Sequence, residues 1–308
     1  KKNINIFILH PYEKVSDVQR LQMTTVLESN VHNLAIKGNF DDCQKILKQL
    51  FINSDLLSKT KISSVNSINW ARIIAQTVYY YWSYFQIDND ANKKVNFIVP
   101  SGNFGNVYAA RVAAKMGLPI NKLHIATNSN DILHRIISKG LMNLEEVKKT
   151  LSPSMDIQVS SNFERQLFES LDYDSEKLCL IMKSFIQEGN YKIDQKVLNK
   201  LQEIYETYSV NDKKILETID LYSKKYKYIP DPHTATGLNV LESIKSLKYP
   251  YISLACAHPA KFANEIKKSI NYKIDYPDSI KNIFEKKEQF TILDNNIMDV
   301  KKYILGKI

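Results

Sequence analysis

The residues with the clearest chemistry run from Val99 to Asn106: Val-Pro-Ser-Gly-Asn-Phe-Gly-Asn. They join an apolar run, Val95–Val99, to an expected helix start at Val107. A helix N-terminus offers backbone N–H groups that lack intrahelical acceptors, together with the positive end of the helix dipole. Such an end binds phosphate. Gly102 and Gly105 let the backbone approach an anion closely. No Lys-Ser/Thr pair follows the second glycine, so this is not a nucleoside-triphosphate loop. A third glycine in dinucleotide-binding spacing is absent as well. Spacing alone leaves two readings open, an anion site and a ligand-free glycine turn.

Other polar residues carry weaker signals. Asn69 and Arg72 stand three apart on an expected helix and share a face. They either meet a ligand or cap an otherwise buried helix. Arg165 follows Ser160-Ser161-Asn162 at an expected helix start. Arg binds phosphate bidentately, or it pairs with Glu164 or Glu169 at the surface. Asp156 reads as a loop-stabilising carboxylate. His233 and His258 adjoin prolines at helix starts, where a neutral imidazole can bond backbone. No second ligand at helical or turn spacing makes either a metal site. The run Tyr79-Tyr80-Tyr81-Trp82 reads as core and interface rather than a base-stacking surface.

The elements that would position these groups alternate. Residues 1–60 read strand, helix, strand, helix, at Ile4–Leu9, Ser16–Val26, Val31–Ile36 and Phe40–Phe51. The polar stretch Lys59–Ser67 reads as a connection, and a long helix spans Ser67–Tyr84. Two strand–turn–helix units follow, with strands Val95–Val99 and Lys122–Thr127 and helices Val107–Met116 and Asp131–Ser138. This alternation predicts parallel strands covered by helices. Residues 162–227 read as helical throughout. A helix near Thr234, the strand Tyr251–Ala255 and a helix from Pro259 come next. The charged tail, 273–308, reads as surface helix.

The chain has 308 residues, 44% hydrophobic and 24% charged, which fits an ordinary globular protein. The opening Lys1-Lys2-Asn3-Ile4 alternates like a strand rather than a signal peptide. No apolar run reaches the ~20 residues a membrane helix needs. The formal charge is +9, but only five residues are Arg and the lysines are scattered. That argues against nucleic acid and for anionic small molecules. Cys43, Cys179 and Cys256 form no metal or disulfide pattern, which points to a reducing compartment, by default the cytoplasm.

Seven segments together resemble the motifs of the threonine synthase family, in the family's order. They are Asn66–Arg72 (NSINWAR), Ser101–Asn106 (SGNFGN), Ala126–Leu133 (ATNSNDIL), Ser152–Ile157 (SPSMDI), Ser160–Arg165 (SSNFER), Asp231–Ala235 (DPHTA) and Ala257–Phe262 (AHPAKF). Phe40–Gln44 fits too. The resemblance implies a two-domain α/β enzyme of fold-type II, like the tryptophan synthase β chain, with a parallel sheet covered on both faces. Residues 1–62 would belong to the small domain and 63–308 to the large one. The implied cofactor is pyridoxal 5'-phosphate and the implied substrate O-phospho-L-homoserine, converted with water to L-threonine and phosphate. Gly102, Asn103, Phe104, Gly105 and Asn106 would hold the cofactor phosphate. Cys256 would meet the pyridine nitrogen, where the family usually has Thr. Asn69, Arg72, Asn162 and Arg165 would contact substrate.

One family feature is missing. The Schiff-base lysine, in a Phe-Lys-Asp-like segment followed by a Ser-Gly-Asp-Thr-Gly-like loop, occurs nowhere in the 308 residues. Lys261 stands in a different motif. The expectation is therefore an N-terminally truncated chain, inactive by itself and without an assignable catalytic residue. Two rival readings remain: a phospholyase that releases 2-oxobutyrate, and a non-catalytic anion-binding module. The sequence specifies no oligomeric state.

Overall fold

The strand at Val95–Pro100 is buried at all of its residues. A strand apolar on both faces belongs inside a parallel sheet, with helices on either side. The computed structural model describes residues 4–88, 92–245, 248–270 and 274–308; the basic Lys1-Lys2-Asn3 start lies outside them. The chain opens with β1 (Ile6–Pro11), α1 (Asp17–Thr24), β2 (Val31–Lys37), α2 (Phe40–Phe51), α3 (Ser54–Lys59) and α4 (Trp70–Phe85). It continues through β3 (Val95–Pro100), α5 (Gly105–Lys115), β4 (Ile120–Thr127), α6 (Ile132–Lys139), β5 (Leu141–Asn143), α7 (Phe163–Ser170) and α8 (Ser175–Glu188). Then follow β6 (Asn190–Lys192), α9 (Gln195–Ile204), β7 (Tyr205–Ser209), α10 (Asp212–Tyr226), α11 (Pro232–Ser243), β8 (Tyr251–Ser253), α12 (Ala263–Ile266), β9 (Thr291–Asp294) and α13 (Ile297–Leu305). Among the described residues no helix is long and apolar enough to cross a membrane.

Two compact units emerge. The first joins residues 1–63 to 274–308. Its sheet has the order β1-β2-β9, all parallel. Leu34 and Ile36 of β2 pack against Ile46 and Leu50 of α2, Leu56 of α3 and Val300 and Ile304 of α13. The tail expected as surface helix of the large domain instead returns to this unit and supplies β9. Its apolar Ile292 and Leu293 lie within a four-residue strand, too short for periodicity to reveal.

The second unit, 64–273, holds a parallel sheet of order β7-β4-β3-β8. On one face Phe97 and Val99 of β3 and Leu123 and Ile125 of β4 meet Tyr80 and Tyr84 of α4 and Ala109 and Ala113 of α5. Tyr205 of β7 belongs to the same core. The continuous helix expected over 162–227 is corrected here: β6 and β7 interrupt it. β7 follows α9 directly, so no turn residue marks the change. Its Tyr-Glu-Thr-Tyr-Ser sequence favours a pleated surface, and pairing with β4 decides its conformation.

On the other side, α11 packs against β3, β4 and β8. The approach is closest at Gly237. A Cβ there would stand 2.9 Å from Pro100 Cγ and 3.0 Å from Ser253 Oγ. α11 is therefore wedged between the ends of two neighbouring strands, just before the glycine loop and just before Cys256. Alanine is the better helix former by ~1 kcal/mol, but overpacking costs about 1–3 kcal/mol. Gly237→Ala is expected to lower stability in urea unfolding, despite its gain in helix propensity.

Candidate functional site

The glycine loop leaves β3 at its carboxyl end and enters α5. Such ends of parallel strands are where open α/β sheets bind ligands. Its Phe104 adopts φ 61°, a left-handed conformation uncommon for a bulky residue. The ring is fully buried, edge-on to Phe163 and Tyr205 at 5.4 and 5.5 Å between centroids. The Phe104 N–H donates to Ser101 Oγ at 3.2 Å. Phe104 thus shapes the turn and does not offer its own amide to a ligand.

The carbonyls of the loop are held from behind. Ser160 Oγ donates to Gly102 O at 2.8 Å. Asn162 donates to Asn103 O twice, through its backbone N and through Nδ2, both at 3.1 Å. The Tyr80 hydroxyl lies 2.8 Å from Asn106 O and 2.7 Å from Asn106 Oδ1. The amides of Gly102, Asn103, Gly105, Asn106 and Val107, in contrast, have no acceptor among the described residues. Successive free N–H groups around a left-handed residue at a helix N-terminus form an anion-binding nest.

Both glycines are needed for close approach. A Cβ on Gly102 would stand 3.0 Å from Met155 Cα. On Gly105 it would stand 3.3 Å from Ser67 Cβ and 3.4 Å from Asn162 Nδ2. The 150–156 segment behind Gly102 is locked by Asp156. Its Oδ1 accepts from Asn128 Nδ2 (2.8 Å), Asn130 Nδ2 (3.0 Å) and Thr150 Oγ1 (2.6 Å), and its Oδ2 accepts from Thr150 N (2.9 Å). The loop-stabilising reading of Asp156 agrees with these bonds.

Cys256 follows β8, the neighbour of β3, so it too lies beyond a strand's carboxyl end. Solvent reaches it. Yet protein surrounds the residue closely enough that burial, and then the Asp231 carboxylate, push its thiol up to about 12. Cys256 also contributes to raising the pKa of the buried Tyr80 hydroxyl, after burial itself. Since that hydroxyl bonds Asn106, the thiol and the first turn of α5 are close electrostatic neighbours.

The residues expected to contact substrate lie on the 64–72 segment or at the start of α7, and Ser67 of that segment abuts Gly105. Asn69 caps α4, accepting from Ala71 N at 2.9 Å, and its Nδ2 donates to Ser64 O at 2.6 Å. Arg72 is exposed and donates to Val65 O at 2.8 Å. Asn162 is buried. Arg165 Nε donates to Asn162 Oδ1 at 3.2 Å, its NH2 to Ile68 O at 2.9 Å, and the guanidinium lies over the Trp70 ring. Arg20, Arg111 and Arg135 each pair with a carboxylate. Arg72 and Arg165 have no carboxylate partner among the described residues. No cluster of metal-ligating side chains occurs among them either.

Sequence reasoning missed Tyr80, Ser160 and Asp231. Tyr80 sat in an aromatic run with no sign of its polar end. Asp231 is almost fully buried, and it caps α11 by accepting from His233 N at 2.9 Å. Burial opposes its charge, but hydrogen bonds from His233 and Thr234 outweigh this and hold its carboxyl below the usual aspartate value.

Comparison with known proteins adds a second line. The family model described as "Threonine synthase, C-terminal" matches residues 234–304. The threonine synthase of Pseudomonas aeruginosa is 40% identical over 304 residues, covering 98% of this chain and 65% of that protein. The threonine synthase of Saccharomyces cerevisiae is 40% identical, covering 98% of this chain and 64% of its own length. Among solved structures, the threonine synthase of Brucella melitensis, described as PLP-bound, superposes with a TM-score of 0.90 at 41% identity. The match covers 99% of this chain and 66% of that one. The yeast enzyme gives a TM-score of 0.88 at 37% identity, over 100% and 65%. The chain thus spans a little under two thirds of the length of these relatives.

Asp231 also makes a pH prediction. A carboxyl held below its unfolded value of 3.8 stabilises the fold fully above that value. The contribution disappears as pH falls through the lower, folded value. Asp231→Asn, which keeps a capping oxygen, is expected to be less stable than the parent near neutral pH. The gap is expected to narrow below about pH 4; urea unfolding of both proteins across that range measures it.

Proposed function

Since this chain belongs to the threonine synthase family, we propose that its glycine loop holds the phosphate of pyridoxal 5'-phosphate for the conversion of O-phospho-L-homoserine and water to L-threonine and phosphate. The observation that carries this reading is the set of backbone amides from Gly102 to Val107 left without acceptors around Phe104. Free amides at a helix N-terminus are what a phosphate needs, and a Cβ at Gly102, 3.0 Å from Met155 Cα, would press on the loop that carries them. When bound, the cofactor supplies an electron sink for carbanion chemistry.

The chain's own residues then have distinct tasks. Gly102, Asn103, Gly105 and Asn106 bind the phosphate through N–H groups, which can be charge-assisted donors. Tyr80, Ser160 and Asn162 orient those groups by holding the carbonyls. Cys256 would meet the ring nitrogen as a neutral thiol, a weak donor and acceptor, since its pKa of about 12 keeps it protonated near pH 7. A thiol there leaves the nitrogen largely unprotonated, whereas a carboxylate would hold a proton on it. Arg72 and Arg165, the arginines without carboxylate partners among the described residues, suit the anionic groups of the substrate. Asn69 and Asn162 hold the backbone segments from which these arginines reach. The lysine that anchors the cofactor in this family is not among these 308 residues, because no lysine here stands in its segment context. We take the compartment to be the cytoplasm, consistent with three unpaired cysteines.

Pyridoxine 5'-phosphate lacks the aldehyde and so does not label surface lysines. The chain is expected to bind it in calorimetry, and Gly102→Ala to weaken binding at least tenfold, about 1.4 kcal/mol. Equal affinity in parent and variant overturns the cradle. The 308-residue polypeptide mixed with pyridoxal phosphate and O-phosphohomoserine is expected to form no threonine, read by NMR. Sustained threonine formation would show that one of its own lysines serves.

A further inference from the structure

The two oxygens of Asp231 have different partners. Oδ1 serves the helix: it accepts from His233 N at 2.9 Å, from Thr234 N at 3.4 Å, and lies 3.0 Å from His233 Nδ1. An N-cap needs no more than this. Oδ2 leaves the helix. It accepts from the Thr234 hydroxyl and from Ala257 N at 3.1 Å. The Thr234 hydroxyl in turn accepts from Cys256 N at 2.8 Å. Both amides flanking the Cys256 side chain are therefore tied, directly or through one hydroxyl, to a single buried carboxylate. Capping alone does not explain this second oxygen.

The same helix sets the other half of the site. Further along α11 comes Gly237, pressed against Pro100 at the entry to the glycine loop and against Ser253 at the end of β8. One rigid element thus touches the strand end that carries the cradle and the turn that carries the thiol.

We propose that Asp231 and Thr234 are positioning residues for Cys256, fixing the thiol at a set place relative to the phosphate cradle. The inference rests on the coenzyme reading for its purpose, since that span must match the distance from the phosphate to the ring nitrogen. The bonds themselves hold whether or not a ligand binds. Asp231 also places a negative charge beside the thiol, which disfavours the thiolate, the form that reacts with alkylating agents.

The test uses a Cys179→Ser background, because Cys179 is exposed and Cys43 is buried. Iodoacetamide alkylation of Cys256 is followed by mass spectrometry without ligand at about pH 9, where thiolate fraction controls the rate. Asp231→Asn removes the charge and keeps a cap, so alkylation is expected to accelerate at least threefold (roughly half a pKa unit). The parental rate in that variant overturns the proposal. A second arm adds pyridoxine 5'-phosphate. It is expected to protect Cys256 in the parent and in Thr234→Ser, which keeps the hydroxyl. In Thr234→Val the ligand still binds the cradle by calorimetry, but protection of Cys256 is lost. Full protection in Thr234→Val overturns positioning while leaving the coenzyme reading intact. Absence of ligand binding in the parent overturns the coenzyme reading, and the ligand-free rates then decide the positioning alone. Should Asp231→Asn not fold, judged by circular dichroism, the Thr234 pair decides.

Discussion

The site depends on which way one short turn faces. A peptide presents its N–H and C=O in opposite directions, so amides converge on a ligand only when the carbonyls find partners behind them. Here Ser160, Asn162 and Tyr80 provide those partners. The reversal at Phe104 requires a left-handed conformation that costs roughly 1–2 kcal/mol. Burying a phenylalanine ring returns about 1.5–3 kcal/mol, and this ring is fully enclosed between Phe163 and Tyr205. Burial of the ring thus outweighs the cost of the left-handed turn.

The parallel sheet converts this local device into a site. β3, β4 and β8 run side by side, and each ends at a polar group: the glycine loop, Asn128 and Cys256. Asn128 joins Asp156, whose bonds brace the Met155 backbone against Gly102. Cys256 is held through Thr234 and Asp231. Two carboxylate networks, one around the half-buried Asp156 and one around the buried Asp231, therefore frame the loop, and among the described residues the hydrogen bonds of both go to residues outside it. That separation is chemically sensible, because a carboxylate facing the nest would repel a phosphate.

Much of the second unit was legible. The β3–α5 and β4–α6 units announce themselves through apolar strands, glycine stops and a phosphate-type loop. Asp156 was legible as a loop brace because a short carboxylate among Ser, Thr and Asn has local donors to hand. What stayed hidden was nonlocal. β7 follows α9 without a turn, and its strand character comes from pairing with β4. β9 is four residues long and joins β2 from the far end of the chain. The polar task of Tyr80 depends on Asn106, twenty-six residues away and on another helix. None of these has a periodic signature, since each is decided by a partner distant in sequence.

The arginines show how a structure can sharpen a residue list that spacing leaves open. A guanidinium withdrawn from water needs compensation, and Arg20, Arg111 and Arg135 find it in carboxylates. Arg165 is half-buried, yet it contacts a carbonyl, an amide oxygen and the Trp70 ring. These satisfy its donors only in part and leave its charge unneutralised by any described carboxylate. Arg72 is likewise bound to a carbonyl alone. Both hang from the 64–72 segment or contact it, and Ser67 of that segment lies against Gly105. Neither guanidinium has a described carboxylate partner, whereas Arg20, Arg111 and Arg135 each have one. That contrast separates Arg72 and Arg165 from the general lysine-rich charge of the protein, which composition alone could not do.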